Sequence, residues 1–240
     1  SRITSASDDA AGLAISTRIS SDITTLQQAA TNAAQATSIL QTADGGASNI
    51  SDILARMKSL ASESASGTVA DSSRAYINSE FTQLKGEIDS IATGTRYSSQ
   101  SLLDGSSVFS SGVAVLVGST SADTITITLT NLTASSLGVT SLDVSTLSAA
   151  TSAMSALDSA IDSVSSARAE IGAQESRFNF SADSISTQTQ NLQSANSAIK
   201  DVDIAAEQAT LSSAEVKTQA AVSAETAANQ MPQYLLKLLG

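Results

Sequence analysis

The side chains that most often carry catalysis are scarce in this sequence. It contains no His and no Cys, which excludes an imidazole base, a thiolate nucleophile and a disulfide. It also lacks a glycine-rich phosphate-binding loop. The paired carboxylates, Asp8 with Asp9 and Asp201 with Asp203, fit helix capping or ordinary surface positions. Asp-rich turns could take up an adventitious Ca²⁺, but EF-hand spacing is absent. The sequence therefore predicts no enzyme, no catalytic residue, no cofactor and no metal site.

The charge distribution restricts the partners. The 12 basic and 23 acidic residues give a net charge of −11, and only 3% of the residues are aromatic. Without a basic cluster or aromatic platforms for bases, nucleic-acid binding is not expected. An acidic surface is repelled by anionic lipids, and no apolar run of about 18 residues indicates membrane insertion.

The elements that position the remaining side chains are mostly helical. Apolar residues in the first part recur at alternating steps of four and three, which indicates a heptad seam after a capping region at residues 5–9. Gly45 and Gly46 are expected to break this helix, and residues 66–68 are expected to break the next, with Asp71 or Ser72 as a cap. Three helices are thus predicted within residues 8–93. The first seam comprises Ile15, Ile19, Ile23, Leu26, Ala30, Ala33, Thr37 and Leu40.

The middle of the chain has a different period. Residues 124–130 alternate between Thr and apolar side chains, as a half-buried strand does, and residues 113–117 are its expected partner. Residues 118–123 then form the loop of a small β-hairpin within the region 94–148.

The C-terminal part returns to the four-three stepping. One helix of about fifty residues is predicted over 151–204, with a seam that begins at Leu157 and ends at Ile199. The polar residues on this seam fix its register or, equally, turn to solvent on a bend; they are Arg168, Glu175, Thr189 and Asn196. Residues 205–240 continue as an Ala-rich helix that ends in an apolar tip with no obvious cover in this chain.

Several sequence blocks carry a family resemblance. Residues 7–16 read SDDAAGLAIS, residues 166–174 read SARAEIGAQ and residues 228–233 read ANQMPQ. Further blocks are LQTADG at 40–45, LARMKSLA at 54–61 and LLDG at 102–105. In their order along the chain, these blocks resemble bacterial flagellin over nearly its whole length.

The resemblance implies a fold and a function. The fold is mainly α, an elongated bundle of long helices with a small β-hairpin, and comprises a helical rod domain (1–204) and one half of the inner filament-core domain (205–240). The function is that of a structural subunit of the extracellular flagellar filament, which self-assembles through its terminal helices for motility. Implied partners are other flagellin subunits, the flagellar export apparatus and a chaperone. The candidate self-assembly residues are Leu211, Val216, Leu235, Leu236, Leu238 and Leu239.

Two departures from the family pattern lead to further expectations. Relatives carry some tens of helical residues before the stretch that begins here, so the sequence is interpreted as N-terminally truncated, a fragment that folds but does not polymerise. The variable outer domains are also missing, which indicates a minimal form.

The family also supplies a candidate receptor surface. A mammalian innate immune receptor recognises flagellin at positions that match Arg56, Leu60 and Glu80, and all three residue types are retained. The alternative is that Arg56 and Glu80 form a solvated ion pair while Leu60 belongs to the core.

A second class of function remains open at this stage. A flagellin-like adhesin or glycan-binding protein at the cell surface would use the hydroxyls of residues 106–146 for contacts with a surface glycan. The same hydroxyls suit a solvated strand or O-glycosylation.

Overall fold

The computed structural model describes the backbone of residue 3 and residues 5–239, and the side chains of residue 3, residues 5–230 and Pro232. Within this part of the chain the order is α1 (Ala10–Ser64), α2 (Asp71–Gly94), β1 (Arg96–Tyr97), β2 (Gln100–Ser101), α3 (Val108–Ser111), β3 (Val113–Leu116), β4 (Thr124–Ile127), α4 (Leu147–Lys200) and α5 (Ile204–Leu239). The predicted mainly α fold of long helices with a small hairpin is confirmed.

The chain divides into two compact units. The larger unit comprises residues 21–191, and the terminal unit comprises the chain up to Ser20 together with the chain from Leu192 onward. Helices α1 and α4 each contribute to both units. The division into domains 1–204 and 205–240 stays a prediction.

The expected break at Gly45 and Gly46 was wrong, because α1 runs through both glycines as one helix of 55 residues. A Cβ at position 46 would lie 2.4 Å from Thr95 Oγ1 and 2.9 Å from Leu103 Cδ1. The glycine therefore permits close approach of the segment after α2. Its cost in a helix, about 1 kcal/mol, is outweighed by the burial of neighbouring side chains that are 0% exposed: Ala43, Ala47 and Ile50. Two helices, rather than three, occupy residues 10–94.

Two other predicted boundaries need correction. Helix α4 spans Leu147–Lys200 rather than 151–204, because Asp203 accepts hydrogen bonds at Oδ1 from the backbone N–H groups of Ala205 and Ala206 and so starts α5. At α2 the residue before the helix is Ala70, which provides no side-chain cap. Asp71 instead accepts from Arg74 Nη1 at 2.7 Å.

In the larger unit, α1 and α4 run antiparallel. Arg168 Nε donates to Asp44 Oδ1 at 2.8 Å, and Lys58 pairs with Asp158. Seam residues from both helices form the core, and each is no more than 3% exposed: Leu26, Ala33, Leu40, Leu157, Val164, Ile171, Phe178 and Ile185.

In the terminal unit the seam differs from the predicted one at its start. Ile15 is 53% exposed, whereas Ser16 is buried. Ser16 Oγ donates to Asn196 Oδ1 at 2.7 Å, and Asn196 Nδ2 donates to Ser20 Oγ at 3.3 Å. Asn196 is therefore paired across the helices, in the manner of a polar residue that fixes register.

The predicted β-hairpin is present. Strands β3 and β4 pair antiparallel, with Val113 opposite Ile127 and Leu116 opposite Thr124. Asn32 Nδ2 of α1 donates to the carbonyl of Leu116 at 3.1 Å. Polar side chains and buried strand residues such as Ile127 thus hold the hairpin against the long helices.

A second, smaller hairpin was missed by the sequence reading. Strands β1 and β2 are joined by Ser98 and Ser99, whose φ angles are +47° and +70°. Positive φ at both loop positions is the geometry of a type I′ turn, which favours Asn-Gly. Two serines pay a steric penalty there because each carries a Cβ.

We expect the double substitution Ser98→Asn and Ser99→Gly to raise the free energy of unfolding by about 1 kcal/mol. Urea denaturation followed by circular dichroism measures the change. The control is Ser90→Gly, the same loss of a side chain at an exposed helical position, which should be destabilising. A turn variant no more stable than the parent would show that the serines are not strained.

Candidate interaction surfaces

Helix α5 is built from residues that favour helices. Ala is its commonest residue, Asp203 caps its start and Glu207 lies in its first turn, where negative charge is favourable. Its hydroxyl side chains bond back to their own helix, as Thr210 Oγ1 does to the carbonyl of Ala206 at 3.0 Å. The helix of 36 residues is about 54 Å long.

Helix α5 exposes large apolar side chains to solvent. Within residues 204–230 every side chain is exposed. The large apolar side chains in this range are Ile204 (72% exposed), Leu211 (52%), Val216 (68%) and Val222 (56%). Exposed large apolar side chains recurring along the helix from Ile204 to Val222 indicate a surface that other protein covers.

The apolar residues of α5 lie on two sides of the helix. At about 100° per residue, Ile204, Leu211 and Val222 fall within about 20° of one direction. Val216 lies about 140° away from Leu211, on a side that also carries Ser212 and Ala220. The two predicted assembly residues whose side chains are described, Leu211 and Val216, are thus both exposed and point to different sides.

The remaining predicted assembly residues lie at the end of the helix. The backbone is helical through Leu239. The side chains of Leu235, Leu236, Leu238 and Leu239 lie outside the described residues, and their role in assembly stays a prediction.

The candidate receptor residues lie at the contact between α1 and α2. Arg56 donates from Nε at 2.8 Å and from Nη2 at 2.6 Å to Glu80 Oε1. Both side chains are about half exposed, whereas Leu60 is 2% exposed and belongs to the core. The geometry is that of the alternative interpretation, an exposed ion pair above a buried leucine. Recognition by a receptor stays a prediction.

A buried polar cluster at the turn between α1 and α2 was not anticipated. Arg74 is 5% exposed. It donates from Nε to the carbonyl of Ser64 at 2.8 Å, from Nη2 to the carbonyl of Ser66 at 2.9 Å and from Nη1 to Asp71. Since the last carbonyls of a helix lack partners within it, this guanidinium completes the end of α1.

Carboxylates in two loops accept hydrogen bonds from backbone N–H groups. Hydrogen bonds from Thr120 lower the pKa of Asp123, and hydrogen bonds from Ser145 lower the pKa of Asp143.

Among the side chains that the structure describes, no group of three potential ligands could hold a metal ion. None of the described helices is long and apolar enough to cross a membrane.

These features define a structural protein that associates with other chains. They are long paired helices, polar side chains that make hydrogen bonds to backbone groups, and a terminal helix with exposed apolar side chains. Comparison with known proteins gives its family. Residues 1–108 match the bacterial flagellin N-terminal helical region, and residues 154–239 match the bacterial flagellin C-terminal helical region. The chain belongs to the bacterial flagellin family.

Individual relatives agree with this assignment. A flagellin of Halalkalibacterium halodurans is 35% identical, covering 99% of this chain and 87% of the relative. A flagellin of Listeria monocytogenes is 34% identical, with 99% and 88% covered. The crystal structure of Bacillus cereus flagellin is similar with a TM-score of 0.59 at 29% identity, covering 69% of this chain and 94% of that one. A putative flagellar hook-associated protein from Vibrio parahaemolyticus shares the fold, with a TM-score of 0.66 at 16% identity over 81% of this chain and 100% of that one.

The predicted function as a structural subunit of the flagellar filament is confirmed by these relatives. The chain is a structural subunit of the bacterial flagellar filament, an extracellular polymer of flagellin subunits. The adhesin or glycan-binding alternative gains no support from these relatives.

Proposed function

We propose that α5 is the surface through which this subunit is held in the filament. The observation that carries the proposal is the exposure of its large apolar side chains, from Ile204 to Val222, along a helix with no buried residue in the range 204–230. Full burial of one Leu or Val side chain is worth about 1.5–3 kcal/mol. Covering this helix would thus supply a large driving force for association.

The composition of α5 suits contact with more than one neighbouring helix. Small side chains, mainly Ala and Ser, separate the larger ones and let helix axes approach closely. Because Leu211 and Val216 point to different sides, a single partner helix would leave one of them in water. We therefore expect α5 to be surrounded by several helices in the filament.

The proposal is tested by filament formation in a flagellated bacterium whose own flagellin gene is deleted. Expression of this chain, preceded by the N-terminal helical residues of a related flagellin, should give filaments visible by electron microscopy and labelled by an antibody against the chain. Secretion of the chain as a monomer, without filaments, would contradict the proposal. Cells that express a version ending at residue 203 are the control and should remain without filaments.

The exposure of α5 also bears on the state before assembly. We infer that a flagellar chaperone covers this helix in the cell and that the subunit leaves through the flagellar export apparatus. The supporting observation is again the uncovered apolar surface, which would associate prematurely in the cytoplasm. Calorimetric titration of the chain with the chaperone should show binding that is lost when residues 204–240 are removed.

The candidate receptor surface gives a separate prediction. If the receptor contacts Arg56, then Arg56→Ala should weaken activation of a receptor-reporter cell line about tenfold or more, the equivalent of one charged contact worth about 1.4 kcal/mol. The fold should survive, since an exposed ion pair contributes only about 0–1 kcal/mol. Lys58→Ala is the matched control, because Lys58 lies near Arg56 on α1 but pairs with Asp158 of α4. An equal response from all three proteins would remove the receptor hypothesis for this chain.

A further inference from the structure

Glu175 occupies a position of α4 that the helix repeat assigns to the core. The residues four before and three after it on the same seam, Ile171 and Phe178, are 3% and 0% exposed. A charged residue at such a position is costly unless it is paired.

No residue that the structure describes pairs with this carboxylate. Glu175 is only half-buried as a residue, but its Oε1 is shielded from solvent and has no hydrogen-bond partner in the part of the chain that the structure describes. The adjacent Gln174 is engaged elsewhere, because its amide pairs with both the N–H and the carbonyl of Thr128.

The charges around Glu175 are also unfavourable. The Arg168–Asp44 and Lys58–Asp158 pairs set the antiparallel register and place Glu175 opposite residues 37–41 of α1. Between residues 23 and 51 the only charged residue of α1 is Asp44, which has the same sign. Strands β3 and β4 carry no charge, and the cation on the same seam, Arg168, is bound to Asp44.

We propose that Glu175 is a proton-binding site in the seam between α1 and α4, and that its protonation stabilises the larger unit as the medium becomes acidic. A neutral carboxyl group removes the uncompensated charge from the seam and the repulsion with Asp44. Its O–H also provides a donor that the carboxylate lacks.

The direction of the pH dependence follows from the environment. Burial, with a smaller contribution from Asp44, raises the pKa of Glu175 above its ordinary value of 4.5. The native state therefore binds a proton at pH values where the unfolded chain has already lost it. Stability falls as the pH rises from about 4.5 through the native pKa, and the full cost of the charge is present above it.

The test compares the full chain with Glu175→Gln by thermal unfolding between pH 4 and pH 8. At pH 7 the variant should have a Tm about 2–4 °C above the parent, and the difference should shrink towards zero at pH 4. The comparison of parent and variant is needed because the parent also contains carboxylates with lowered pKa values, such as Asp143. Protonation of these groups lowers the stability of the folded chain in acid, which is the opposite trend.

The matched control is Glu170→Gln, which removes an exposed carboxylate from the same helix. Its Tm difference from the parent should vary less with pH than the difference for Glu175→Gln. NMR detection of the Glu175 side-chain carboxyl carbon gives a second readout, in which Glu175 should titrate at higher pH in the folded chain than in the chain unfolded by urea. A Glu175→Gln difference that is constant across the pH range, or identical titration of Glu175 in the folded and unfolded chains, would overturn the proposal.

Discussion

Replacing both Leu211 and Val222 by Asp is expected to abolish filament formation and to leave the subunit folded. Both residues lie on one side of α5 and are more than half exposed in the single chain, so the monomer loses only helix propensity, about 0.6 kcal/mol per Asp. In the filament the two carboxylates would be buried among apolar side chains at a cost of several kcal/mol each. The critical concentration for polymerisation should rise more than about 100-fold, the equivalent of about 2.7 kcal/mol.

Sedimentation of polymerised protein over a range of concentrations measures this effect, with parent and variants all preceded by the same N-terminal helical residues of a related flagellin. The matched control is Leu211→Met with Val222→Ile, which keeps both side chains apolar and should polymerise nearly as the parent does. Circular dichroism of all three monomers should give the same helix content. Normal filaments from the Asp variant would show that this side of α5 stays in contact with water.

Replacement of Arg74 by Leu is expected to lower the free energy of unfolding by about 3 kcal/mol. The buried guanidinium bonds to the carbonyls of Ser64 and Ser66 and to the carboxylate of Asp71. A leucine fills part of the volume but leaves the buried carbonyl of Ser64, at the end of α1, and the part-buried carbonyl of Ser66 without these donors. In a domain of this size the Tm should fall by roughly 6–12 °C.

Urea denaturation and thermal unfolding measure the loss. Arg74→Lys should recover part of the stability, since a lysine keeps the charge but lacks the planar fork of donors. Arg177→Leu on the exposed face of α4 is the surface control and should change stability by less than about 0.5 kcal/mol. A similar small effect at both positions would show that the turn between α1 and α2 does not depend on Arg74.

The elements that repeat along the chain could be predicted from the sequence. The four-three stepping predicted the long helices and their core residues, such as Leu40 and Phe178, because one helix face determines the spacing of apolar residues. Strict alternation in residues 124–130 predicted the hairpin for the same kind of reason. Two seam residues, Arg168 and Asn196, have partners across the helices, whereas Glu175 lacks one.

Features without a signal in the local pattern of residue types could not be predicted. Gly46 looked like a helix breaker from its neighbours in the sequence. The residues that require a glycine there by their close approach, Thr95 and Leu103, lie some fifty residues away. The role of Arg74 depends on backbone carbonyls, which any sequence supplies. The turn at Ser98 and Ser99 was missed because it lacks the Asn-Gly signal.

The central claim, that other subunits cover α5 in the filament, is most directly tested by cysteine labelling. The sequence contains no Cys, so Leu211→Cys and Val216→Cys each introduce a single reactive group when the N-terminal helical residues added from a related flagellin also lack Cys. Both should react readily with a maleimide in the monomer and at least tenfold more slowly in intact filaments. Heating the filaments to dissociate the subunits should restore the monomer rate. Labelling of both positions in intact filaments as fast as in the monomer would contradict the claim.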